Sequence, residues 1–267
     1  MGRLTVVIGK GGVGKTTVAR GFAARSADKA AAPLVLELDG DSRRTPGTHN
    51  LEIEVADGDA ALRAVAGEIL GSQRLAGAML SHFAVRRLAA IVPGLREVAV
   101  LVAAMRRVES GRHVILDMPA TGHGVAWLDT VRLLRDLQPA GRARALIDEL
   151  HAKLADPSVT KVVVVTLVER LVLSETHELC RALPRLPDLI VINGVHRPQA
   201  IGADVLAALA RLPGRSEAVA SLSAWLTPSE RLSDLPRLAA ATCEIARYPR
   251  VPTASEIGAV LDGAVRW

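Results

Sequence analysis

The chain has 267 residues, of which 49% are hydrophobic and 23% are charged, and its formal net charge at pH 7 is +5. This composition excludes general disorder, and the length favours one large domain over two independent ones. Only 2% of the residues are aromatic, so we expect an aliphatic core of the kind that buried parallel strands form.

The first part of the chain predicts a strand, a loop and a helix. Residues 3–8 form a β-rich run that ends in glycines, and a helix-compatible stretch rich in Ala and Arg continues to residue 29. Residues 33–39 predict a second strand that ends in an acidic residue. Residues 40–50 contain many turn formers and predict a loop.

The middle of the chain has helical patterns on both sides of one short strand. The strand is predicted at residues 113–117, which end in aspartate. Before it, residues 57–110 show helical spacings with breaks near Gly71 and Pro93, and after it two helical segments extend from about 124 to 155. We therefore interpret residues 55–110 and 124–157 as a helical subdomain inserted in two pieces into a single domain.

The remaining residues continue the alternation of strands and helices. Strands are predicted at 161–166, 188–193 and, more weakly, 242–247, and helices at 171–184, 199–212 and 254–265. Buried strands that alternate with helices predict an α/β fold with a mostly parallel, doubly wound sheet.

Composition also limits where the protein acts and what it binds. The arginines are spread singly and in pairs, which is typical of solvated helix faces and gives no clear nucleic-acid signal, although contact with an anionic partner or a membrane surface stays open. No run is long enough to span a membrane and the amino terminus shows no secretory signal, so we expect a cytoplasmic protein. The two cysteines, Cys180 and Cys243, lack metal-ligand spacing.

The clearest motif follows the first predicted strand. It reads Gly9-Lys10-Gly11-Gly12-Val13-Gly14-Lys15-Thr16-Thr17 and contains G-x-x-x-x-G-K-T in register between a strand and a helix. We expect the backbone N–H groups of residues 11–17 to hold the phosphates of ATP, with Lys15 at the β and γ phosphates and the Thr16 hydroxyl on Mg²⁺. The motif predicts a fold of the P-loop NTPase type.

The second lysine of the loop distinguishes it from an ordinary Walker A motif. Residues 10–17, Lys-Gly-Gly-Val-Gly-Lys-Thr-Thr, resemble the signature of the deviant Walker A ATPases, which include ArsA, the tail-anchored protein targeting ATPase, MinD, ParA and the nitrogenase iron protein. The resemblance implies that Lys10 reaches the nucleotide of a partner subunit and neutralises phosphate charge in trans. Hydrolysis would then require a homodimer. Lys10 could otherwise be a plain exposed residue.

Three aspartates are candidates for work on water and magnesium. Asp39 and Asp41 follow the second predicted strand, at the sheet edge where ligands of open α/β folds bind. Asp41 resembles the switch I aspartate that orients the attacking water, and Asp39 is a candidate outer-sphere magnesium ligand, although either could only cap a turn. Asp117 ends an apolar strand and fits a Walker B aspartate that reaches magnesium through water.

Further segments resemble the ArsA and tail-anchored targeting branch. Residues 117–123, Asp-Met-Pro-Ala-Thr-Gly-His, resemble its switch II, in which His123 is either a switch residue or structural. Residues 166–176 resemble its segment with a strand followed by a Glu-Thr helix, and residues 248–252 resemble its segment near the base. Residues 191–193 resemble its Val-Val-Asn, which implies that Asn193 reads adenine unless it only ends a strand.

Other features depart from that branch. The chain has four Met and no C-x-x-C, so neither a Met-rich client groove nor a zinc clasp is expected, and two distant cysteines cannot form a metalloid site. After Asp41 the sequence reads Ser-Arg-Arg, where the family has Pro-Ala-His-Asn. Arg43 and Arg44 could bind a phosphate, a partner or only water.

The leading hypothesis is a cytoplasmic ATPase of the ArsA and tail-anchored targeting type, whose homodimer closes on ATP and Mg²⁺ and holds a protein client on a helical surface. One alternative is a positioning ATPase of the MinD or ParA type that acts on a membrane or DNA. Another is an interaction switch that binds nucleotide and hydrolyses it negligibly.

Overall fold

The computed structural model describes residues 2–25, 32–38, 51–82, 87, 92, 94–119, 126–137, 140–195, 211, 239, 242–246, 257 and 261. Seven strands in these ranges form one sheet, and every described strand pair in it is parallel. The strands are β1 (Leu4–Ile8), β2 (Leu34–Glu37), β3 (Glu52–Val55), β4 (Val114–Asp117), β5 (Thr160–Thr166), β6 (Leu189–Val195) and β7 (Thr242–Ala246).

The strand order is β3-β2-β4-β1-β5-β6-β7, which puts β1 in the centre between β4 and β5. The register pairs Val7 of β1 with Asp117 of β4 on one side and with Val163 of β5 on the other. The loop after β1 therefore leaves the sheet between the carboxyl ends of two neighbouring strands. This is the crevice in which open α/β sheets bind ligands.

The helices within the described ranges are α1 (Lys15–Ala24), α2 (Gly58–Leu70), α3 (Gln73–Ser81), α4 (Leu95–Glu109), α5 (Ala126–Leu137), α6 (Arg142–Ala155) and α7 (Arg170–Ala182). The predicted break near Gly71 has a local cause. Gly71 ends α2 in the left-handed conformation, with φ 70°, and the Ser72 side chain then caps α3 by accepting from the Leu75 N–H.

Alternate residues of each strand pack into cores on opposite faces of the sheet. Val6 and Leu116 belong to the core on one face, which they form together with α4 and α6. Val7 and Ile115 belong to the core on the other face, which they form with α1. Burial of both faces explains why the strands read as continuous Val, Ile and Leu runs.

The helices between β3 and β5 form two layers. Helices α4 and α6 pack directly on the sheet, whereas α2 packs on α4 and α5 packs on α4 and α6. Helix α3 packs on α2. The inner layer thus shares its core with the sheet, and the division of the chain into a sheet domain and a separate insert stays a prediction.

The sequence predicted the α/β class, the parallel sheet and six of the seven strands, and the structure confirms them. Strand β3 was not predicted, because this four-residue edge strand exposes Glu52, Glu54 and Val55 and only Ile53 packs on a core. The helices predicted at 199–212 and 254–265 lie outside the described residues, apart from the isolated positions 211, 257 and 261. Among the helices described, none is both long enough and apolar enough to cross a membrane.

Candidate nucleotide site

The loop between β1 and α1 is shaped by its glycines. Gly14 has φ 93° and precedes α1 as its N-cap, so no side chain caps the first turn of this helix. The first turn also contains no acidic residue. Uncapped N–H groups and the positive end of the helix dipole therefore face the loop, which is the arrangement that binds phosphate.

Gly14 is required for two separate reasons. Its φ of 93° is unfavourable for residues with a side chain, and a Cβ at this position would lie 2.2 Å from Nδ2 of Asn193. The Asn193 amide in turn donates to the Val13 carbonyl at 2.8 Å, and its Oδ1 accepts from the Gly194 N–H at 2.9 Å. Asn193, near the end of β6, thus supports the loop through its hydrogen bond to Val13. The predicted contact between Asn193 and adenine stays a prediction, and its role as a support for the loop was missed.

The two lysines of the loop have different environments. Lys15 is 7% exposed, and its ammonium group donates to the Lys10 carbonyl at 3.0 Å. This contact holds the charge of Lys15 inside the curve of the loop, where a phosphate would bind. The Lys10 side chain instead pairs with α7, where its Nζ lies 2.9 Å from Oε1 of Glu175.

Helix α7 is held in place next to the loop by a buried hydroxyl pair. The Thr166 and Thr176 hydroxyls are 2.7 Å apart, and Thr176 donates to the Val172 carbonyl. These bonds tie α7 to the carboxyl end of β5 and thereby place Glu175 beside Lys10. The Lys10–Glu175 pair is 35% and 42% exposed. This ion pair was not predicted. The only sequence signal for it was the Glu-Thr pair of α7, which follows a strand whose carboxyl end lies at the ligand-binding edge of the sheet.

Thr16 and Asp117 meet beneath the loop. The Thr16 hydroxyl donates to Oδ2 of Asp117 at 2.5 Å, and this bond joins the first turn of α1 to the end of β4. Asp117 is 6% exposed, and its Oδ1 is buried without a hydrogen-bond partner among the described residues. Burial raises the pKa of Asp117 to about 6, and Glu37 adds to the rise, while the Thr16 hydroxyl and the Lys15 charge oppose it.

This pair fits a magnesium ion chemically. Mg²⁺ prefers oxygen ligands and is commonly bound by one or two carboxylates together with phosphate oxygens. A hydroxyl and a carboxylate with one unsatisfied oxygen, next to a phosphate-binding loop, supply such ligands. A cation near the unsatisfied oxygen would also favour the ionised form of Asp117.

A buried ion pair lies next to this site. Arg20 of α1 donates to both carboxylate oxygens of Glu37 at the end of β2, at 2.8 and 3.0 Å. Both side chains are at most 5% exposed. Bidentate geometry compensates the cost of burying the two charges, and the pair fixes α1 against β2. Neither residue was predicted to have a role in the site.

The structure therefore brings together the predicted residues Lys10, Lys15, Thr16, Asp117 and Asn193, with Gly11, Gly12, Val13, Gly14 and Thr17 in the same loop and helix start. The predicted Asp39, Asp41, Arg43, Arg44, His123 and residues 248–252 lie outside the described residues.

Comparison with known proteins identifies the family of the chain. The family model described as anion-transporting ATPase, ArsA type, matches residues 2–139, which is 138 of the 267 residues. "ATPase BagA" of Mycobacterium tuberculosis (strain ATCC 25618 / H37Rv) is 27% identical over 289 residues, covering 97% of this chain and 84% of the relative. "Putative ATPase Mb3704" of Mycobacterium bovis has the same identity and coverage. With a P-loop, a parallel sheet and a family match over more than half its length, this chain belongs to the ArsA-type anion-transporting ATPase family.

Proposed function

We propose that this protein binds MgATP at the loop of residues 9–17 and hydrolyses it in the cytoplasm as a nucleotide-switched homodimer, which captures or delivers a protein client through its helical layer. The observation that carries the nucleotide site is the contact between Thr16 and Asp117 under a loop that already encloses the Lys15 charge. At this point the phosphate-binding loop lies next to a hydroxyl and a carboxylate, which are oxygen groups that can bind Mg²⁺.

The residues of the site divide the work between them. The loop N–H groups and Lys15 bind and orient the phosphates, and catalysis of phosphoryl transfer depends mainly on such positioning and charge stabilisation. The Thr16 hydroxyl and the Asp117 carboxylate would hold Mg²⁺, with Asp39 as a further outer ligand. When bound, Mg²⁺ neutralises charge on the phosphate oxygens. Asp41 is proposed to orient the attacking water.

Lys10 has a proposed role in the partner subunit. In this structure it is paired with Glu175 of its own chain, at 2.9 Å. A half-exposed ion pair of this kind is worth little, about 0–1 kcal/mol, so binding energy from a dimer and ATP is sufficient to release it. Lys10 would then cross to the partner's nucleotide and stabilise the charge of the transferred phosphoryl group, as an arginine finger does.

The test compares three lysine variants by nucleotide binding and by turnover. Lys10→Ala should retain ATP binding and lose turnover by about 10³-fold, which is the low end of the effect of an arginine finger. Lys15→Ala should lose ATP binding itself. Lys161→Ala is the matched control, because Lys161 pairs with Asp188 at the amino-terminal end of β5, away from the phosphate loop. Unchanged turnover in Lys10→Ala would contradict the trans mechanism, and ATP binding by Lys15→Ala at wild-type affinity would contradict the site.

A further inference from the structure

The helical layer contains a cavity of about 140 Å³ that lies outside the nucleotide site. Its walls come from α2, α4, α5 and α6, and every lining side chain is aliphatic. The inner wall is buried and includes Val98 and Val102 of α4 and Leu146 of α6, whereas the α2 wall is only half-buried. The cavity therefore opens outward, towards α2, and is closed on the side of the sheet.

Three alanines keep this space open. Ala66 of α2, Ala99 of α4 and Ala143 of α6 line the cavity from three different helices, each at a position where a larger aliphatic residue would fill it. Protein interiors are normally packed with few voids larger than a water molecule. The space is bordered by small side chains on three of the four helices that line it.

The walls determine what the cavity can hold. A buried water needs two to four polar partners, and no lining side chain offers one. An engineered cavity of about 150 Å³ with comparable aliphatic walls, in another protein, stays dry and binds benzene. By that comparison this cavity has room for about six carbon atoms of an apolar group.

Arg142 lies near one end of the cavity. Arg142, the first residue of α6, is exposed and directly precedes the lining residue Ala143. Its Nη1 lies 2.8 Å from the position that a Cβ on Gly71 would occupy, so the guanidinium group extends across the carboxyl end of α2.

Two acidic residues on the same helices are paired with other arginines. Asp59 of α2 accepts from Arg96, and Asp148 of α6 accepts from Arg135 and Arg144. No acidic partner of Arg142 occurs in the part of the chain that the structure describes. An anionic group near Arg142 would therefore meet an arginine that has no acidic partner among the described residues.

We propose that this cavity binds a medium-chain fatty acid, with the end of the hydrocarbon chain between Ala66, Ala99 and Ala143 and the carboxylate at Arg142. No residue of the phosphate loop lines the cavity, so binding to the nucleotide-free protein tests this proposal separately from the proposed ATPase cycle. Failure of one proposal leaves the other standing.

The test uses octanoate and octylamine as probes of the full-length protein without nucleotide, with binding measured by titration calorimetry and by the ligand-induced shift in Tm. Octanoate should bind saturably and raise Tm, and octylamine should bind at least tenfold more weakly because of its charge. Equal binding of the two would overturn the role of Arg142, and absence of octanoate binding would overturn the proposal as a whole.

Matched variants then locate the ligand. Ala143→Leu should weaken octanoate binding at least tenfold by filling the cavity, whereas Ala145→Leu adds the same group to an exposed position of α6 and should leave it unchanged. Ala66→Leu fills the cavity from α2 and replaces Ala143→Leu if that variant does not fold. Arg142→Gln should weaken octanoate binding about tenfold, with Arg181→Gln on α7 as its control. Wild-type affinity in either cavity-filling variant would contradict the location.

Discussion

Replacing Asp117 by asparagine should stabilise the nucleotide-free protein while removing its proposed magnesium site. Burial raises the pKa of Asp117 from its ordinary value of 3.8 to about 6, so the folded protein holds this proton more tightly than the unfolded chain does. Because one unit of pKa corresponds to about 1.4 kcal/mol, the ionised carboxylate destabilises the fold by about 3 kcal/mol at pH 8. The asparagine side chain would keep an oxygen that accepts from Thr16 but would carry no charge.

The pH dependence gives the sign of the effect. As pH rises from about 4 to about 6, the unfolded Asp117 loses its proton first, and the free energy of unfolding of the wild type falls relative to that of Asp117→Asn. Above the folded pKa the difference becomes constant, at about 3 kcal/mol in favour of the variant. Below pH 4 the ionisation contributes nothing to the difference.

The assay is urea unfolding of both proteins in EDTA, at intervals between pH 4 and pH 8. Asp136→Asn is the control, because Asp136 is an exposed aspartate on α5 and should show no comparable gain. With Mg²⁺ and ATP present the order should reverse, since the wild type gains ligand stabilisation and Asp117→Asn does not. A variant that is less stable than the wild type at pH 8 in EDTA would refute the reasoning.

Two further predictions concern residues around the loop. Gly14→Ala should destabilise the protein by at least about 1–2 kcal/mol and abolish ATP binding, because it combines a positive φ with a collision against Asn193. Gly12→Ala, with φ 80° and open space around it, should lose only the stability that the backbone conformation costs. Urea unfolding of both variants checks this, and equal destabilisation would contradict the collision. Arg20→Met should cost about 3–5 kcal/mol by leaving Glu37 buried and unpaired, and Arg20→Met/Glu37→Leu should recover most of that loss in urea unfolding. A double variant as unstable as the single one would contradict the pairing.

The nucleotide loop was predictable because its chemistry is local. A run of glycines with Lys15 and Thr16 between a strand and a helix fixes the backbone and the ligand groups within nine consecutive residues. Asp117 was also predictable from the sequence, because an aspartate at the end of an apolar strand lies at the ligand-binding edge of a parallel sheet.

The contacts that position those residues depend on distant parts of the chain and were not predictable. Lys10 and Glu175 are 165 positions apart and meet only because β1 and β5 are neighbours. The support of the loop by Asn193 requires the same strand order, and the cavity requires the packing of four helices. Periodicity shows which face of an element is buried, but not which element covers it. The roles of Asp39 and Asp41 stay predictions.

In the proposed mechanism, ATP hydrolysis is coupled to dimer formation. The measurement is specific ATPase activity as a function of protein concentration, with light scattering in ADP and in a non-hydrolysable ATP analogue. We predict that specific activity rises steeply with concentration and that the analogue favours dimers, since Lys10 would act on the nucleotide of the partner subunit. Activity from a monomer that does not change with concentration would contradict the trans role of Lys10 and the nucleotide-switched dimer.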